Sequence, residues 1–133
     1  MKTIEVFFDT NVLIYALSGD ANKAARAETL IRSGGIVSVQ VLNECALTLR
    51  RKFNAPWPKI ATASERLRKL LTIMALTEDV HVRGLAVAAR HKLHVSDGMI
   101  VGAALIAGCT TLYSEDMHHG QVIDGLRIVN PYK

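Results

Sequence analysis

The chain has 133 residues, half of them hydrophobic and 21% charged, with a formal net charge of +4 at neutral pH. That length suits one domain, residues 1–133, able to bury a core without disulfides or a structural metal. It excludes a membrane-spanning class, because the longest apolar candidate, residues 99–109, is rich in Ala and Gly and stops short of a bilayer.

Residues 3–8 (TIEVFF) read as a buried strand ending at Asp9, and a short helix over 12–17 follows, broken by Ser18-Gly19-Asp20. Residues 21–33 have high helix propensity and stop at Gly34-Gly35. Ile36-Val37-Ser38 is a brief strand, 39–53 a longer helix, and 54–58 a turn in which Pro56 and Pro58 flank Trp57. Pro58 suits the first turn of a helix to about Leu71, with apolar positions at Ile60, Ala63, Leu67, Leu70 and Leu71. Residues 72–76 form a short strand, and Glu78 and Asp79 open a helix through His91. Ser96 or Asp97 is expected to cap a helix through Ala107, ended by Gly108. Residues 110–113 and 126–129 are the last two strands. Five strands alternating with helices predict a parallel sheet in a three-layer α/β/α sandwich, with functional groups at the carboxyl ends of the strands.

Three carboxylates stand out by their isolation. Asp9 is the only formal charge in residues 6–19, Glu44 in 33–49 and Asp97 in 93–114. Burying an ionised carboxylate alone is strongly unfavourable, so each needs a cation, several hydrogen-bond donors or a raised pKa. If the three converge, a hard divalent cation is the simplest remedy for their repulsion. Ordinary roles also exist: Asp9 and Asp97 are placed to cap helices, and Glu44 to share a polar stripe with Gln40, Asn43 and Thr48. Asp116 joins the set because, like Asp9, it lies just beyond a predicted strand; Glu115 beside it is the substitute.

Cys45 and Cys109 have no CxxC or His spacing and read as buried reduced thiols, which together with the absence of a secretory signal near Lys2 and Glu5 predicts a cytoplasmic protein. The positive charge favours an anionic partner. Four of the 12 acidic residues at one site would leave 16 basic residues against eight elsewhere. Arg50-Arg51-Lys52 and Arg66, Arg68 and Lys69 then become candidates to track a phosphate backbone, or simply solvated helix faces.

Four segments together resemble a known family. Phe8-Asp9-Thr10-Asn11-Val12-Leu13-Ile14, Asn43-Glu44, Val95-Ser96-Asp97-Gly98 and Leu112-Tyr113-Ser114-Glu115-Asp116 are similar, in order and spacing, to the acidic motifs of PIN-domain nucleases. The length, and the closing Met117-His118-His119-Gly120-Gln121 and Gly125-Leu126-Arg127-Ile128-Val129, resemble VapC toxins of VapBC toxin–antitoxin pairs. The resemblance implies a Mg2+- or Mn2+-dependent endoribonuclease that cleaves RNA with a metal-activated water. It also implies a homodimer and a VapB-like antitoxin partner. Asp9, Glu44, Asp97 and Asp116 would be the catalytic metal ligands, with Thr10, Asn11 and Ser114 orienting them. His118 and His119 are secondary candidates for a general acid. A haloacid-dehalogenase-type phosphotransferase also opens with an Asp after its first strand, but Asn11 stands where its second Asp belongs. A catalytically silent domain that only binds RNA or antitoxin is the alternative.

Overall fold

A computed structural model describes residues 5–18 and 20–133 of the chain, so Thr3 and Ile4 of the predicted first strand and Gly19 of the predicted break lie outside the described residues. The order is β1 (Val6–Phe8), α1 (Thr10–Ser18), α2 (Ala21–Arg32), β2 (Ile36–Ser38), α3 (Val39–Phe53) and α4 (Trp57–Leu70). Then come β3 (Thr72–Met74), α5 (Glu78–His91), α6 (Val95–Ile106), β4 (Thr111–Tyr113), β5 (Val122–Ile123) and β6 (Leu126–Val129). Local chemistry accounts for most boundaries. Asp20 accepts the amides of Asn22 and Lys23 to start α2, and Ser38 and Thr77 cap α3 and α5. Asn54 and Lys92, at φ of 50° and 56°, stop α3 and α5 in the left-handed region.

All six strands form one sheet in the order β3-β2-β1-β4-β6-β5. The first five in that order run parallel, as predicted; the expected five-stranded, wholly parallel sheet is corrected by β5, which pairs antiparallel with β6. Asp124 and Gly125, at φ of 48° and 89°, make the two-residue turn that Asp-Gly favours in a hairpin. The helices pack in two groups, α1 to α4 in contact with one another and α5 against α6, as the outer layers of the sandwich. Phe7, Phe8, Val37, Leu112 and Ile128, all fully buried, fill the space between sheet and helices. Among the described residues no helix is long and apolar enough to cross a membrane.

The strand order positions the site. From β1 the chain moves outward to β2 and β3 on one side, and β4 returns to the other, so the order reverses between β1 and β4. Parallel sheets leave a crevice at such a point, beyond the carboxyl ends of the two strands. The register pairs Phe8 with Tyr113, so Asp9 and Ser114 emerge side by side.

Candidate active site

Asp9 is the buried centre of that crevice. It is 4% exposed, and its amide donates to the Tyr113 carbonyl at 3.0 Å, which continues the β1–β4 ladder. Its Oδ1 accepts from the Thr10 amide at 2.7 Å. Its Oδ2 accepts from the Ser114 hydroxyl at 2.7 Å and from Asn11 Nδ2 at 3.3 Å. Asp9 therefore holds the first amide of α1, much as a capping residue does, while its other oxygen serves the crevice. Burial pushes its carboxyl up to about 6 against the lowering effect of Ser114 and Thr10, and the charges of Asp97 and Asp116 push the same way.

Ser114, wholly buried, organises the opposite wall. Its single proton goes to Asp9, and its oxygen accepts the amides of Asp116 and Met117 at 3.2 and 3.3 Å. Asn11 bridges the walls. Its Nδ2 donates to Asp116 Oδ2 at 3.1 Å as well as to Asp9, and its Oδ1 accepts the Glu115 amide at 3.1 Å.

Glu44 and Asp97 face this pair from two helices. Glu44, half-buried on α3, accepts the Thr10 hydroxyl at 3.3 Å. Burial raises its pKa, opposed by hydrogen bonds from Thr10 and Gln40, and the charge of Asp97 adds to the rise. Of the polar residues sharing α3 with Glu44, Thr48 also lines the crevice and Asn43 does not, while Gln40 Nε2 donates to the Ser96 carbonyl at 3.1 Å and ties α3 to the start of α6. The expectation that Ser96 or Asp97 caps α6 is corrected. The helix begins at Val95 with His94 at the cap position, making no side-chain cap bond, so Asp97 falls in the first turn with its carboxylate released to the crevice. Burial raises the Asp97 pKa, with His94 opposing and Asp116 reinforcing the shift.

The four carboxylates thus line one open cleft of about 680 Å³. They do not close on a common point: among the described residues no group of three or more His, Cys, Asp or Glu side chains is placed to hold a metal ion as it stands. No ion pair to any of the four is found among the described residues. Their chemistry suits a hard divalent cation: the donors are all carboxylate oxygens, and Asp9 is buried without a cationic partner. Mg2+ keeps several waters and takes only one or two carboxylates directly, so an open cleft accommodates it better than a tight cage would.

Glu115, the possible substitute for Asp116, also lines the cleft but is engaged by Lys23. It accepts Lys23 Nζ at 2.6 Å; burial would raise its pKa, but hydrogen bonds from Lys23 and Tyr15 hold it below the usual value. His118 and His119 do not line the cleft, and His119 Nδ1 accepts the Asn130 amide at 2.9 Å in a loop-bracing role. Burial holds the Cys45 and Cys109 thiols near 12 and 11, so neither is a nucleophile at neutral pH. Of the six basic residues in the predicted phosphate-tracking clusters, Lys52 lines the cleft. Arg50 stacks on Trp57 at 4.9 Å, Arg66 pairs with Glu28, and Lys69 pairs with Glu65.

Sequence reasoning missed Lys23 and Tyr15, which brace Glu115. A signal existed for Lys23: a cation in the first turn of α2 opposes the helix dipole, and such a local conflict points to a partner elsewhere.

An α/β sandwich with four carboxylates at the switch point of a largely parallel sheet defines the class of the protein. The chain belongs to the PIN domain family, whose family model matches residues 6–123. Among solved structures it is similar to a toxin–antitoxin complex from Klebsiella pneumoniae, with 21% identity over 97% of this chain and 99% of the other and a TM-score of 0.70. It is similar to VapC20 of Mycobacterium tuberculosis, described as a sarcin–ricin-loop-cleaving toxin, with 21% identity over 84% and 90% and a TM-score of 0.69. It is also similar to DNA-bound VapBC of Salmonella typhimurium, with 19% identity over 95% and 97% and a TM-score of 0.69. Among curated protein sequences none gives a significant match.

Proposed function

We propose that the chain is a Mg2+- or Mn2+-dependent endoribonuclease and the toxin of a type II toxin–antitoxin pair, acting as a homodimer restrained by a VapB-like antitoxin. The observation that carries the nuclease reading is the gathering of Asp9, Glu44, Asp97 and Asp116, from four separate segments, on one cleft in which the buried Asp9 makes no ion pair among the described residues. The toxin–antitoxin part draws on the similar structures, which are described as VapBC or related complexes.

Asp9, Glu44, Asp97 and Asp116 would hold the metal, directly or through its waters. When bound, a divalent cation supplies Lewis-acid polarisation of a phosphoryl oxygen and a water of lowered pKa as nucleophile. The chain's own groups set the geometry. Ser114 and the Thr10 amide fix the two Asp9 oxygens, Thr10 Oγ1 steadies Glu44, and the Asn11 amide keeps Asp116 within reach of Asp9. The walls are rigid because each of these contacts ends on a strand terminus or a helix.

The deciding assay incubates structured RNA with the protein and Mn2+, comparing the wild type with Asp9→Asn. Cleavage by the wild type that is lost in the variant and on chelation is expected. Equal activity in both proteins overturns the metal-nuclease reading, and RNA binding without cleavage by either replaces it with the silent binding domain.

A further inference from the structure

An endonuclease cuts within a strand, so nucleotides must lie on both sides of the scissile phosphate, and one cleft wall seldom serves both. Beside the carboxylate cleft opens a second one of about 580 Å³, which shares Tyr15 and Asp20 with it. Its chemistry differs from that of the first. Tyr15 and Tyr132 meet edge to face at 5.3 Å, and Lys23 Nζ lies 4.7 and 5.3 Å from their ring centroids. Arg26 joins them, with its Nε donating to the Pro131 carbonyl at 3.3 Å. Lys23 is paired with Glu115 at 2.6 Å, and Asp20, the acid lining this cleft, is already accepting two helix amides.

We propose that the cleft of Tyr15, Lys23, Arg26 and Tyr132 is a subsite for the single-stranded RNA flanking the cleaved bond, with a base against the tyrosine pair and a phosphate on Arg26. The inference rests on the nuclease reading above. Three observations carry it. The two clefts share Tyr15 and Asp20 in their linings, so the second lies directly beside the carboxylates. Aromatic faces with adjoining cations are the combination that holds single strands, and a peptide with acidic side chains would have no use for the rings. Arg26 is exposed, and no ion pair to it is found among the described residues, which leaves guanidinium N–H groups for a phosphate.

The test measures binding in the Asp9→Asn background, which separates affinity from cleavage, using a fluorescein-labelled single-stranded RNA of roughly twelve nucleotides. Tyr132→Ala is expected to weaken binding about tenfold, and Tyr132→Phe, which keeps the ring, much less. Arg26→Gln is expected to lower the slope of log K against log salt by about 0.7, the value for one lost phosphate contact on a single strand. Thermal melts monitor folding, and Arg26→Gln, on an exposed side chain, keeps the test decisive if Tyr132→Ala unfolds. Unchanged affinity and salt slope overturn the subsite, and if the wild type still cleaves RNA the nuclease reading stands without it. Absence of both cleavage and RNA binding in the Asp9-containing protein overturns the two together. Loss of binding to an acidic peptide but not to RNA reassigns the cleft to a protein partner.

Discussion

Asp9 sets a stability cost against a function. Its pKa is about 6 when folded and 3.8 when not, so the folded protein holds the Asp9 proton more tightly than the unfolded chain does. Stability from this group is therefore full below pH 4, falls as pH rises through 6, and is lower by about 3 kcal/mol above that. In metal-free solution at pH 8, Asp9→Asn is expected to be more stable than the wild type by up to that amount, less the cost of the acceptor it removes from Ser114 or Asn11. The difference should close toward pH 4 in urea titrations. Adding Mg2+ should raise the melting temperature of the wild type and not of the variant, since a ligand stabilises only the form that binds it. Ser114→Ala removes a donor to Asp9 and the acceptor for two amides; a loss of about 10- to 100-fold in cleavage rate is expected. Asp9, Glu44 and Asp97 are legible in the sequence because a single charge within an apolar stretch is costly to bury unless something nearby compensates it. Asp116, flanked by Glu115, is legible from its place just beyond a strand. For Lys23 the helix-dipole conflict signals a partner but not which one, since Glu115 lies 92 residues away.

The α5–α6 contact shows how packing away from the cleft sets the position of Asp97. Gly84 and Gly102 let the two helices approach backbone to backbone: a Cβ on Gly102 would lie 2.8 Å from the Gly84 nitrogen and 3.0 Å from its Cα. Gly102→Ala gains up to about 1 kcal/mol of helix propensity. Because the obstructing atoms are main chain and cannot rotate away, the clash prevails, and a net loss of about 1–3 kcal/mol is expected in denaturant unfolding. Moving α6 displaces Asp97 in its first turn, so activity should fall in the same variant. Element type and order are legible from caps, prolines and apolar spacing. Two details are not. Helix α6 starts earlier than the sequence predicts because Ser and Asp are favoured caps, whereas His94, which occupies that place, carries no such signal. The β5–β6 hairpin is hidden because β5 has two residues, too few for alternation to show, although Asp124-Gly125 is itself a hairpin signature.

For the whole molecule, the net charge of +4 combines an acidic cleft with basic surroundings. Many of those cations are tied to the protein's own carboxylates, such as Arg32 and Arg66 on Glu28 and Arg83 on Asp124. RNA affinity is therefore expected to fall with salt less steeply than the total count of Lys and Arg would suggest, with each strand phosphate contact contributing about 0.7 to the slope. Binding isotherms at several salt concentrations measure that number. Participation of all six basic residues in the Arg50 and Arg66 clusters would add about 4 to the slope.

The Asn11–Asp116 hydrogen bond joins residues 105 positions apart, and β1 acquires its neighbour β4 only after the helices and strands between them have been made. At translation rates of about 5–20 residues per second, several seconds separate the emergence of Asp9 from that of Asp116. During that interval the nascent chain carries an unpaired β1 edge and half a cleft. A cleft bearing all four carboxylates can thus form only after residue 116 has been made.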